Sequence, residues 1–139
     1  MRVIVFVKAT ADSEAGAMPS TELIEAMTKY NEELAAAGIM KGGEGLHPSS
    51  RGKRIAFDGA ERKVIDGPFG QVDELVAGFW IWEVKDMDEA VAWAKRCPNP
   101  MPGPSELEIR PVFEAEDFGE AMTPELIERE ERLRQQLEA

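Results

Sequence analysis

Residues 2–8, Arg2-Val3-Ile4-Val5-Phe6-Val7-Lys8, form an apolar, branched run closed by a charge at each end. They predict a buried central strand. Residues 9–19 carry Thr, Ser, Gly and Pro and read as a loop. Following a strand's C-terminal end, this loop is a candidate lid or ligand-binding segment. Ser20 after Pro19 suits an N-cap, and Leu23, Met27, Tyr30 and Leu34 then recur at helical spacing. Gly38 closes that helix.

Residues 39–46 hold Gly42, Gly43 and Gly45 and predict a strand with a bulge or a close backbone approach. A phosphate-cradling loop is the sharper alternative, but no Gly-Lys-Ser/Thr follows. Residues 53–57 and 62–65 predict a β-hairpin around Asp58-Gly59. Residues 77–84 read as a second central strand. Alternation puts Phe79, Ile81 and Glu83 on one face and Trp80, Trp82 and Val84 on the other. Asp86 and Glu89 have capping-box spacing ahead of Met87, Ala90, Val91 and Ala94, and Pro98 ends the helix. Residues 98–104 form a Pro/Gly-rich connection. Residues 107–112 predict the last strand, at an edge because of Pro111. Thr123-Pro124 opens a final acidic helix whose Leu126, Leu133 and Leu137 make a thin apolar stripe.

This order is an α+β plan of ferredoxin-like type: an antiparallel sheet with two helices on one face, an inserted β-hairpin and a C-terminal helix. Residues 1–118 form the domain. Residues 119–139 form the acidic helix, part of the same unit or packed on a partner. The sheet's other face stays wet in a monomer, and Trp80 and Trp82 are expected there as the core of a homodimer.

Charge sharpens the picture. The 139 residues carry a net charge of −11, which opposes binding to nucleic acid or to an anionic membrane. Yet Arg51, Lys53, Arg54, Arg62 and Lys63 cluster against only Asp58 and Glu61. Such a patch suits a small anionic ligand, or it is a charged hairpin face that blocks edge pairing. A single cysteine, Cys97, excludes an intrachain disulfide, and with a single histidine it leaves no zinc site of the usual kind. We expect no metal and no cofactor. No apolar run reaches the roughly 20 residues of a membrane span, and the N-terminus lacks signal-peptide features, so a cytoplasmic protein is expected.

Several blocks resemble the DGPF family, a branch of the YCII-related proteins. They are Gly43-Glu44-Gly45-Leu46-His47-Pro48-Ser49, Val64-Ile65-Asp66-Gly67-Pro68-Phe69, Glu74-Leu75 and Gly78-Phe79-Trp80-Ile81-Trp82-Glu83-Val84, followed by Glu89-Ala90-Val91, Lys95-Arg96-Cys97-Pro98 and Glu108-Ile109-Arg110-Pro111-Val112-Phe113. The resemblance covers residues 1 to about 118 and implies a dimeric α/β-barrel fold. It also implies two functional contexts. In YCII-like proteins enzymatic roles such as dehydrochlorination are attached to a His–Asp pair, whose His lies on the first helix; this chain has none there. Family members also occur beside or fused to extracytoplasmic-function sigma factors, and these 139 residues contain no such region. Gly70-Gln71-Val72-Asp73 departs from the family's usual Ala-Glu-Thr-Lys.

His47 is the candidate general base, with Asp66 orienting it as a carboxylate orients a triad histidine. Arg51 and Arg54 are candidates to hold a substrate anion, and Glu44 is a further candidate on the same segment. Glu44 and Asp58 are substitutes for Asp66 as the acid. The opposing reading is architectural: His47 ends a strand before Pro48, Asp66 caps an Asx-type turn, and Phe69 anchors it in the core. Three functions stay open: a small cofactor-independent acid–base enzyme, a non-catalytic ligand-binding or regulatory dimer with a protein partner at the acidic tail, and an assembly module.

Overall fold

The computed structural model describes residues 1–138. Strand β1 (Arg2–Lys8) is followed by a single turn of helix, α1 (Ala11–Glu14), and by α2 (Thr21–Ala36). Next come β2 (Met40–Gly45), the hairpin strands β3 (Lys53–Asp58) and β4 (Glu61–Asp66), and β5 (Val76–Glu83). Helix α3 (Met87–Lys95), strand β6 (Leu107–Pro111) and helix α4 (Pro124–Glu138) complete the chain. The main sheet runs β2-β5-β1-β6, every neighbour antiparallel, and β3-β4 forms a separate two-stranded sheet. This is the ferredoxin-like α+β arrangement, with the hairpin inserted between β2 and β5.

Local chemistry explains the boundaries. The Ser20 hydroxyl accepts the Leu23 N–H at 3.1 Å and starts α2, and Gly38 at φ +74° turns the chain out of it. Asp86 accepts the Glu89 N–H at 2.9 Å and caps α3. The Glu89 carboxylate reaches one residue further back than a capping box would, to the Lys85 N–H at 3.0 Å. The β2 register shifts between Met40 and Gly42, as the glycine run predicts. A Cβ on Gly43 would stand 2.8 Å from Trp80 Cδ1 and 3.0 Å from the Phe79 carbonyl oxygen, so only glycine lets β2 lie this close. Pro111 sits at the end of edge strand β6.

Val3 and Val5 of β1, Trp80 and Trp82 of β5, Tyr30 and Leu34 of α2 and Ala90 of α3 form one buried cluster. Both tryptophans therefore lie beneath the helices, which corrects the expectation that they face a second copy. The reason is register: Trp80 pairs with Val5 and Trp82 with Val3, so the indoles share the valines' face. The Tyr30 ring meets Trp80 edge-on at 5.9 Å, and the Tyr30 hydroxyl donates to the Trp93 carbonyl at 2.6 Å. Burial pushes the Tyr30 phenol well above its ordinary range. Trp80 Nε1 donates to Asn31 Oδ1 at 2.9 Å. The opposite face carries Ile4 and Phe6 beside Ile81 and Phe79, all half-buried.

Cys97, just past α3, packs against the core, and burial pushes its thiol up to about 11, which suits a structural role. At the far end of β1, Arg2 donates to both Glu114 oxygens at 2.9 and 3.1 Å. That hydrogen bond lowers the Glu114 pKa, and the guanidinium's charge adds to the effect. No helix among the described residues is long and apolar enough to cross a membrane.

Two outcomes follow. Tyr30→Phe removes the hydroxyl's bond to the Trp93 carbonyl, which keeps the Arg96 N–H at 3.0 Å, and lowers unfolding free energy in urea by about 1 kcal/mol. The Glu114 contribution is present above the unfolded-state pKa of about 4.3 and is lost as pH falls through the depressed folded-state value. Glu114→Gln therefore removes that segment of the acid-side loss in a stability-versus-pH series.

Candidate functional site

Beyond Gly45 the chain leaves the sheet, and Leu46 keeps contact with β5 by donating its N–H to the Ala77 carbonyl at 2.8 Å. His47 and Pro48 follow, then one 3₁₀ turn over Ser49–Arg51, then Gly52 and the hairpin. The hairpin returns to this same loop: the Gly67 N–H donates to the Gly52 carbonyl at 3.0 Å. The contact is tight enough that a Cβ on Gly67 would fall 1.7 Å from the Ser49 carbonyl oxygen. Only glycine can occupy position 67.

Ser49 ties three segments together. Its hydroxyl bonds the Glu14 carboxylate and accepts the Phe69 N–H at 3.1 Å, while its own N–H donates to Glu14 at 2.9 Å. The 9–19 loop thus contributes a carboxylate that clamps the site's backbone. Glu14 gets there because α1 ends the loop's first half, capped by Thr10, whose side chain accepts the Ser13 N–H at 3.3 Å.

These segments line an open cleft of about 450 Å³ at the end of the sheet where β2 finishes and β5 begins. Leu46, Leu75, Val76, Pro48 and Phe69 give it apolar walls; His47, Arg51, Arg54 and Glu74 give it charge and hydrogen-bonding capacity. Arg51 Nη1 lies 3.0 Å from both ring nitrogens of His47. A guanidinium N–H can donate only to an unprotonated ring nitrogen, so Arg51 can occupy the acceptor site of the imidazole. The Arg54 guanidinium stacks over Phe69, 4.1 Å from its centroid. Neither arginine forms an ion pair among the described residues, whereas Arg2, Arg96 and Arg132 all do.

His47, Arg51 and Arg54 therefore meet around one cleft, while Asp66 and Glu44 lie apart from it. Asp66, exposed on β4, is ion-paired with Lys53 across the hairpin, and no hydrogen bond joins it to His47 among the described residues. The hairpin register decides this, setting Asp66 opposite Lys53 at its root. Glu44 pairs with Phe79 and so shares the open sheet face. Asp58 is at the hairpin tip. Phe69 is a wall of the cleft rather than an anchor in the core. Ser49 and Glu74 lie in the family blocks but carry no local spacing that marks a site, and Glu14 lies outside those blocks. Among the described residues no three His, Cys, Asp or Glu side chains converge.

The YCII-related domain matches residues 1–116, and the chain belongs to that family. An uncharacterised protein of Rhizobium meliloti (strain 1021) is 30% identical over 67 residues, 48% of this chain and 54% of the relative, so the chain spans about half the length of the curated relative it matches. A solved 5-chloro-2-hydroxyhydroquinone dehydrochlorinase from Burkholderia phenoliruptrix AC1100, in complex with 2,5-dihydroxybenzoquinone, is similar with a TM-score of 0.46 and 16% identity, over 82% of this chain and 95% of that one.

Ser49→Ala removes the hydroxyl from both Glu14 and the Phe69 amide. Limited proteolysis should then cut residues 9–19 faster, with stability lower by about 1–3 kcal/mol. Gly67→Ala should disorder the cleft more severely, seen as loss of the Phe69 and His47 resonances from their native positions in NMR spectra.

Proposed function

We propose that the cleft binds a small, largely apolar molecule carrying an anionic group, and that His47 exchanges a proton with it. The observation that carries this reading is the pair of guanidinium groups, Arg51 and Arg54, lacking ion-pair partners at the mouth of an apolar cleft in an acidic chain. An anion there replaces water with charge-assisted hydrogen bonds, and the walls cover the ligand's apolar part. Arg51 has a second role in this reading. When it turns its N–H groups toward a bound anion it leaves the imidazole, and a ring nitrogen becomes free to accept the ligand's proton. Binding thereby switches on the base. The imidazolium so formed holds the proton and can return it, with the Glu74 carboxylate on the same cleft to balance its charge. Asp66 serves the site indirectly, bracing the hairpin root through Lys53.

A second reading, a non-catalytic ligand-binding or regulatory dimer, has its own support: His47 is exposed and hydrogen-bonded to no carboxylate among the described residues. In both readings the protein works as a homodimer joined through the open sheet face, where Ile4, Phe6, Phe79 and Ile81 would cover their counterparts.

Isothermal titration with benzoate and acetate tests the cleft, and proton NMR of the single imidazole follows His47. Benzoate is expected to bind more tightly than acetate and to shift the His47 signals. Arg51→Met should weaken benzoate by roughly tenfold to a hundredfold. His47→Ala should keep benzoate binding yet abolish any turnover found by screening small carboxylates and phenolates. Equal, unsaturable responses to both acids in wild type and Arg51→Met would refute the site.

A further inference from the structure

Two apolar surfaces of this chain have no cover, and they lie at opposite ends of the same sheet. The first is one face of the hairpin. Cross-strand pairing puts Ile55 beside Val64 and Phe57 beside Arg62, and no residue of either strand is buried; Phe57 is 71% exposed and Val64 58%. A two-stranded hairpin with nothing against its apolar face is marginal in water. The second surface is α4, whose Leu126, Leu133 and Leu137 fall on one side and are all exposed.

The sheet keeps the two apart. The hairpin springs from the end where Gly45 pairs with Gly78 and Lys8 with Val76. Helix α4 follows the segment anchored at the other end, where Glu114 binds Arg2, and Arg134 sits close enough to Glu114 to act on its charge. Seven residues of β1 separate these ends, about 20 Å at strand rise. A two-fold axis that stacks two such sheets head to tail cancels this separation: each hairpin then overhangs the partner's α4 end, twice, by symmetry.

We infer that the hairpin 53–66 is a dimerisation arm whose Ile55–Phe57–Val64 face seats on the Leu126–Leu133–Leu137 stripe of a second copy's α4. Charge fits the same pairing. Arg62 lies on the arm's apolar face with its guanidinium 4.6 Å from the Phe57 centroid, and Glu130 falls within the helix stripe. Residues 53–66 carry four basic and three acidic side chains, net +1, in a chain of net charge −11, and α4 carries five acidic and three basic ones, net −2, so the two surfaces attract. The arm's root carries Gly52, Arg54 and Phe69 of the cleft, so the contact also sets where Arg54 stands. This inference rests on the homodimer reading and adds the arm to it.

The experiment uses the full chain with Cys97→Ser, Phe57→Cys and Leu133→Cys, oxidised mildly and run on a non-reducing gel beside sedimentation of the wild type. A dimeric wild type and a disulfide-linked dimer in the variant are expected. Phe57→Asp and Leu133→Asp, both at exposed positions, should each weaken dimerisation roughly tenfold or more while leaving the circular dichroism unchanged. A dimeric wild type whose variant gives no linked dimer, or only a disulfide within one chain, would overturn the arm contact and leave the sheet-face dimer standing. A wild type that sediments as a monomer at tens of micromolar would overturn both.

Discussion

Two indoles on an inner strand decide what every other element can do. Trp80 and Trp82 stand on the face shared with Val3 and Val5, so α2 and α3 must cover that face and no other. Burying one such side chain is worth roughly 3 kcal/mol, more than any hydrogen bond at the surface of this chain offers. The room they need is made by a missing atom: Gly43 has no Cβ where Trp80 passes, and β2 can close against β5 only because of that gap. With the heavy rings committed to the helices, the opposite face is left with the lighter set Ile4, Phe6, Phe79 and Ile81, flanked by charged positions such as Glu44 and Glu108.

The chemistry of the chain collects at the end of the sheet, away from that core. Here the Asp66–Phe69 turn acts as a fastener: it presses Gly67 against the Ser49 carbonyl, hands the Phe69 amide to the Ser49 hydroxyl and sets an aromatic wall under Arg54. The acidic residue of the turn spends its charge on Lys53, so the electrostatics of the cleft come from His47, Arg51, Arg54 and Glu74. A turn that looks catalytic by composition contributes shape.

Much of the fold is legible because its signals are local. The stripe of Leu23, Met27, Tyr30 and Leu34, the Ser20 cap, the glycine run in β2, the Asp58-Gly59 turn and Pro111 at an edge each carry their own physical reason, and the family blocks agree with them. The face of Trp80 and Trp82 is not legible, because alternation says which residues travel together but not which set the helices cover; that depends on pairing with β1. The site was half legible. His47, Arg51 and Arg54 lie within eight positions of each other, and sequence proximity is enough to bring them to one cleft. Asp66 was set beside His47 by counting along a hairpin, whereas register gives it to Lys53. Glu14 reaches Ser49 across 35 residues through a single turn of helix, and nothing near either residue announces the contact.

The hairpin is also a lever. Its strands are six residues long, so the tip at Asp58 and Gly59 lies about 20 Å from the root at Gly52 and Gly67, whereas Arg54 is only about 5 Å out. Tilting the rod about its root scales displacement by distance: about 2 Å at the tip becomes about half an ångström at Arg54. That fraction is small on the scale of a docking surface and large on the scale of a hydrogen bond to an anion. Any movement at the outer end of such a rod would reach that guanidinium reduced about fourfold.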